Sequence, residues 1–169
     1  MKILKILATL VALLIIVLAL SYLILGFTLP DETVVKTEFD VAAPPEKVWQ
    51  ALTDQEKYPE WAPNVVKVEV ASETEWREWI KDSKEPLVFT ASNKQPPKHM
   101  EAKYTMGDFF EGNWKGDIAA TPAGSHVTAE DRMRAKSWAG KIMMYPFFNL
   151  NEFVNKWNRK LKERAESLK

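Results

Sequence analysis

The chain has 169 residues, no cysteine, 23 basic against 23 acidic side chains and two histidines. Those figures exclude a disulfide framework, thiolate chemistry and a lipid-bearing cysteine, and the balanced charge lacks the basic footprint of a nucleic-acid binder. There is room for one domain, to whose core the N-terminal stretch does not belong.

Ile6 to Leu29 is almost wholly apolar, broken only by Thr9, Ser21, Tyr22, Gly26 and Thr28. As a helix it would run about 36 Å, enough to cross the roughly 30 Å hydrocarbon layer with some tilt. Lys2 and Lys5 flank its start, and Asp31 and Glu32 follow its end. Positive residues stay cytoplasmic, which sends everything after Pro30 to the other side. The expected organisation is a transmembrane anchor over 1–30 and a globular domain over 31–169. This makes a single-pass cytoplasmic (inner) membrane protein, its domain on the periplasmic or extracellular side. Two other readings stay open: a signal peptide cleaved at the small-x-small site Ala19-Leu20-Ser21, and a buried helix of a globular core.

Thr33 to Val41 alternates as a strand, which Ala42-Ala43-Pro44-Pro45 ends. Pro45 suits a first helical position, Glu46 the first turn, and Val48, Trp49 and Leu52 form an apolar patch. Asp54 is placed to cap a second short helix that Pro59 ends or bends near Tyr58, with Trp61 wedged against the sheet. Val66, Val68 and Val70 then share a strand face, and Trp76, Glu78 and Ile80 share one in the next. Leu87 to Ala91 is a further strand. In His99 to Met106, Met100, Ala102, Tyr104 and Met106 oppose the polar set. Glu111 to Ala120 puts Trp114, Gly116, Ile118 and Ala120 on one face, and Ser125 to Arg134 returns beyond the turn Thr121-Pro122-Ala123-Gly124 with Val127, Ala129, Asp131 and Met133 together. Met143 to Phe148 reads as an apolar loop. Phe147 to Leu168 is one long amphipathic helix whose stripe of Phe147, Leu150, Val154, Trp157, Leu161, Ala165 and Leu168 centres on Trp157. The sum is α+β: about seven strands in a curved antiparallel sheet around a long C-terminal helix.

Ala43-Pro44-Pro45-Glu46-Lys47-Val48-Trp49, Tyr58-Pro59-Glu60-Trp61-Ala62-Pro63 and Thr121-Pro122-Ala123-Gly124-Ser125-His126-Val127, followed by the terminal helix, resemble the SRPBCC or START-like superfamily in its polyketide cyclase/dehydrase-like branch. The likeness covers Thr33 to Leu168, and the leading segment ending in Leu29-Pro30 looks like that of the anchored bacterial members. The resemblance implies a helix-grip fold with a cavity between sheet and long helix, used for lipids and other hydrophobic molecules, for cyclising polyketides or as a regulatory module. It implies cavity positions at Trp61, Trp76, Met100, Tyr104, Met106, Trp114, Gly116, Ile118, Ala129, Asp131, Met133 and Trp157. The small Gly116, Ala120, Ala102 and Ala129 suggest space left open, although close packing under a helix would also want them. Asp131 departs from the apolar cavity set. Either it reaches the cavity mouth or a bulge turns it out.

His99 and His126 lie opposite the apolar faces and read as solvent-facing, so no metal site is expected, and no residue pattern calls for a cofactor. What remains is acid–base work in an apolar chamber. Tyr104 and Asp131 are the candidate catalytic pair, with Glu78 a weaker third, because partial burial raises a carboxyl toward neutrality. Trp61, Trp76, Tyr104, Met106, Trp114, Met133, Met143 and Met144 suit a hydrophobic ligand, and Phe109-Phe110 with Met143 to Phe148 suit an entrance or a membrane-facing segment. The first reading is therefore an anchored domain that binds a hydrophobic small molecule or lipid, meets the membrane through Ile6–Leu29 and needs no catalysis. The alternatives are a cyclase- or dehydratase-type enzyme and an interaction or envelope-structural module with a filled core.

Overall fold

The computed structural model describes residues 2–145 and 148–168. The expectations for Phe147, and for the side chains of Met143 and Met144, lie outside the described residues. Helix α1 runs Lys2–Thr28, and its stretch Lys5–Thr28 is long and apolar enough to cross a membrane. Then come β1 (Glu32–Val41), α2 (Pro45–Thr53), a 3-10 turn (Gln55–Lys57), α3 (Tyr58–Trp61), β2 (Val65–Val70), β3 (Glu75–Ile80), β4 (Leu87–Gln95), β5 (His99–Met106), β6 (Phe110–Thr121), β7 (Gly124–Ala135), α4 (Trp138–Met144) and α5 (Leu150–Ser167). The strands form one antiparallel seven-stranded sheet in the order β1-β7-β6-β5-β4-β3-β2. Its concave face wraps α5, as the alternating strands and amphipathic helix require.

Local chemistry sets the boundaries. Pro45 opens α2 with Glu46 in its first turn, where free amides favour an acid. Asn149 caps α5: its side-chain oxygen accepts from the Glu152 N–H at 3.1 Å, which starts the helix at Leu150. Thr121 pairs with Gly124 across a two-residue turn, and Gly124 has a φ of 140° with its α-carbon facing the Val41 carbonyl. A side chain fits there neither in conformation nor in space.

Four local expectations need correction. The Asp54 side chain makes no capping bond, although the short helix after it does change at Tyr58, where Pro59 falls in the first turn of α3. A bulge between Val65 and Lys67 shifts β2 by one residue, leaving Val65 buried and Val66 and Val70 exposed. Part of the expected apolar loop is helix α4, which Ser137 caps by accepting from the Gly140 N–H at 3.0 Å. Finally, the buried stripe of α5 is Leu150, Val154, Asn158, Leu161 and Ala165, with Trp157 half-buried at its margin.

The grip has two unlike halves. Around the C-terminal half of α5, Leu161 and Ala165 pack with Val41, Val48, Ala51, Leu52, Ile118 and Val127 into a filled core. Around its N-terminal half, Leu150 and Val154 cluster with Val35, Tyr104 and Met133, and most of these residues also line a void. The chamber lies against that second half and reaches Leu52, Trp76, Met100 and Ala102 at the edge of the first.

Candidate functional site

The chamber encloses about 430 Å³, within the range of small-molecule sites. Strand register builds its wall. Trp76 pairs with Phe89, Phe89 with Tyr104, Tyr104 with Gly112, and Gly112 with Met133, one row across five strands. The rings follow the row: Trp76 stacks on Phe89 at 4.9 Å, Phe89 leans on Tyr104 at 5.5 Å, and Tyr104 meets Phe110 edge-on at 6.4 Å. Gly112 interrupts the ladder for a reason. A Cβ there would collide with the Tyr104 ring, so the missing side chain lets that ring cross β6 and reach β7.

What Tyr104 reaches is Asp131. Its hydroxyl donates to the Asp131 carboxylate at 2.6 Å, both groups buried. No bulge turns Asp131 out, since its pairing with Trp114 and Val35 falls within continuous ladders. Burial raises the Asp131 carboxyl to about 6 against the pull of the Tyr104 hydrogen bond. Burial first, and then the Asp131 charge, push the Tyr104 phenol far above its ordinary value, so it stays a neutral donor. On the same wall Glu78 accepts from the Trp76 indole N–H at 2.7 Å, and burial raises it to about 7. Asn158 is a further polar lining residue, tied to β1 through its amide, which donates to Thr37 Oγ1 at 2.8 Å.

Of the positions expected at the cavity, Trp76, Met100, Tyr104, Met106, Trp114, Asp131, Met133 and Trp157 line the chamber, and so does Glu78. Trp61, Gly116, Ile118 and Ala129 do not. Trp61 packs against Tyr58 at 5.1 Å and Trp157 at 5.5 Å, outside the void. The space over Gly116 is taken by the Trp114 ring, to which a Cβ would come within 2.5 Å, so the small residue seats an aromatic instead of leaving a gap. Ile118 is in the filled half, and Ala129 is buried beside Gly116. The lining residues that the sequence reading missed include Phe89, Phe153 and Asn158. Phe89 could have been found from its alternation with Val88 and Thr90; Asn158 breaks an apolar stripe and carries no such signal.

The Tyr104–Asp131 bond makes a testable statement. Tyr104→Phe removes a donor to a buried carboxylate, so the Asp131 midpoint should rise from about 6 by about one pH unit, read by carboxyl NMR. Gly112→Ala, whose Cβ would meet both the Tyr104 ring and the Arg132 carbonyl, should evict the ring at some cost to the β6–β7 pairing and move the midpoint the same way. An unmoved midpoint in both variants would show that the bond does not form in solution.

No curated protein sequence matches the chain. Solved structures do. Protein MLL2253 from Mesorhizobium loti aligns with a TM-score of 0.64 at 17% identity, over 81% of this chain and 99% of that one. The Zhui aromatase/cyclase from Streptomyces sp. R1128 gives 0.64 at 15%, over 80% and 94%. A point mutant of Thalictrum norcoclaurine synthase, in complex with a transition-state analogue, gives 0.59 at 11%, over 79% and 94%. At these identities the likeness concerns the fold. It nevertheless overturns the lean toward a non-catalytic domain, because this architecture is shared with an aromatase/cyclase and a synthase, so the fold gives no ground for excluding catalysis. Residues 32–169, the whole sheet and both C-terminal helices, match the family described as polyketide cyclase/dehydrase and lipid transport, and the chain belongs to that family.

Proposed function

We propose that the chain is a membrane-anchored enzyme of cyclase or dehydratase type, moving protons on a hydrophobic carbonyl compound held in the chamber. The observation that carries this reading is the pair of carboxyls on one apolar wall, Asp131 near 6 and Glu78 near 7, the first tied to a tyrosine hydroxyl. Between those values Asp131 is mostly ionised and Glu78 mostly protonated, a base and an acid at one pH.

In this reading Asp131 takes a proton from the carbon beside a carbonyl, and the electron pair moves into the enolate. The enolate then expels a β-hydroxyl, which leaves as water with the Glu78 proton; that is dehydration. In cyclisation it attacks a second carbonyl carbon, forming a C–C bond, and the new alkoxide takes the Glu78 proton. Either course leaves Asp131 protonated and Glu78 ionised, and exchange with water resets them. Tyr104 holds the base, and the Trp76 N–H holds one oxygen of the acid. The aromatic ladder excludes water and offers ring faces to the substrate.

The reading includes an anchor over 1–30 and the domain over 31–169. Lys2 and Lys5 support a cytoplasmic N-terminus, with the domain on the periplasmic or extracellular side. The test begins with native mass spectrometry of the gently purified full chain, which identifies the cargo whose class is then offered as substrate. Asp131→Asn and Glu78→Gln should each lower turnover about a hundredfold or more while cargo still loads. The wild-type rate should follow a narrow bell with limbs near about 6 and about 7. Cargo that loads and leaves unchanged across that range would overturn catalysis.

A further inference from the structure

The end of α1 is packed against the domain. Trp138, the first residue of α4, lies on the buried Gly26 so closely that a Cβ there would strike its indole, and it meets Phe27 edge-on at 5.0 Å. Close by, Lys141 pairs with Asp31 at 2.7 Å. Gly26 and Phe27 belong to the apolar stretch Lys5–Thr28, so a side chain touching both shares the depth of its last turn.

Helix α4 and its lead-in also hold the turn between β5 and β6. The Lys136 N–H donates to the Phe109 carbonyl at 2.9 Å, and the Lys136 ammonium donates to the Gly107 carbonyl at 2.7 Å. Gly140 lies against that same Phe109 carbonyl. Among the described residues outside α1, the exposed large aromatics are Phe109 at 42% and Phe148 at 36%, and both also line the chamber. Asp108 beside them is paired with Lys136 at 3.4 Å, which offsets its repulsion from anionic headgroups. The chamber rim therefore carries the domain's exposed aromatic surface and is packed to the end of the apolar helix.

We infer that α4, the β5–β6 turn and Phe148 rest in the headgroup–acyl boundary of the leaflet that α1 leaves, so the chamber mouth opens onto lipid and not onto water. This rests on the reading of α1 as an anchor. Lipid is the occupant because the patch is continuous with a helix suited to the bilayer, and because Trp and Phe at the end of a span favour that boundary. The opposite end of the domain is distant: β1 begins at α1 with Glu32 paired to Arg134 and ends with Val41 paired to Ser125, beside the β6–β7 turn. Ten residues at about 3.4 Å each put that turn roughly 30 Å away.

Because the chain has no cysteine, single positions can be labelled. Phe109→Cys, Phe148→Cys and, as control, Ala123→Cys in the distal turn are each coupled to an environment-sensitive dye. The full chain is then placed in phosphatidylcholine nanodiscs with or without lipid spin-labelled near the headgroup. At a depth of about 5–10 Å the dyes at 109 and 148 should lose roughly half their emission to the spin label, and the dye at 123 almost none. Dyes at 109 and 148 that behave like the one at 123, or that neither lipid nor aqueous iodide quenches because protein covers them, would overturn the docking. A chain that fails to enter nanodiscs would remove anchor and docking together. Cargo seen in the mass spectrum of the wild type is independent of both results and keeps the enzyme reading separately testable.

Discussion

Raising the pH from about 4 to about 8 should weaken the folded domain by several kcal/mol, the reverse of what exposed ion pairs alone would give. Glu78 and Asp131 keep their protons up to about 7 and about 6 in the fold, against 4.5 and 3.8 for the free groups. Between those limits the native chain binds more protons than the unfolded one, so the free energy of unfolding falls as pH rises. The contribution is complete below the unfolded values and lost above the folded ones, about 3 kcal/mol for each carboxyl. His99, raised by Asp117 and Glu101, adds to the same decline. Asp31, Glu111, Glu130 and Glu163 act in the opposite sense, since Lys141, Arg134, Arg132 and Lys160 hold them below their ordinary values. Their support is present above the ordinary carboxylate range and lost in stronger acid. Stability should therefore be highest at about pH 4, in the ordinary carboxylate range, and fall on both sides. Urea melts of the full chain in detergent at about pH 4 and about pH 8 read the difference. The Glu78→Gln, Asp131→Asn double variant should flatten the alkaline side, and a wild type equally stable at both pH values would mean that the two carboxyls are hydrated.

Leu161→Ala should cost about 3 to 4 kcal/mol, whereas Trp157→Ala should cost about 2 and Lys156→Ala less than about 0.5. Leu161 is 2% exposed in the filled half of the grip, so its loss leaves a new hole between α5, α2 and the sheet. Trp157 already borders the chamber, and removing its ring mainly enlarges an existing void. Lys156 faces solvent. The same melts at one pH rank the three. If Trp157 proved costlier than Leu161, α5 would be rolled relative to the sheet and the chamber would be smaller than described.

The sequence made the fold legible wherever a period ran long enough. The alternation in β5, β6 and β7 and the helical stripe of α5 needed no tertiary information, and period two set Asp131 between inward neighbours while leaving open a bulge that would turn it out. Three things were not written there. The bulge at Val65 moves the buried position from Val66 to Val65, and the run Val65-Val66-Lys67 carries no glycine or proline of its own to announce it. Helix α4 is too short to show a period, and its role comes from Trp138 meeting Gly26, residues more than a hundred positions apart. The chamber's position depends on which small residues seat rings. Gly112 and Gly116 look alike in sequence, yet one admits a tyrosine crossing from β5 and the other lies under a tryptophan of its own strand. A count of small inward residues therefore suggests volume without locating it.

The link between α1 and β1 is only Leu29, Pro30 and Asp31, a reach of about 10 Å at full extension. With α1 in a bilayer, so short a leash leaves the domain no radius in which to swing. It cannot ferry a molecule to an opposing membrane, and it cannot wait at a distance for a soluble donor to deliver one. Material would have to come to it, by lateral diffusion in its own leaflet or by a partner that docks beside it, and would have to leave by the same routes. A short tether of this kind makes a workstation of a fold that, cut loose, could serve as a shuttle. Lengthening those three residues would change the logistics without touching a single atom of the chamber.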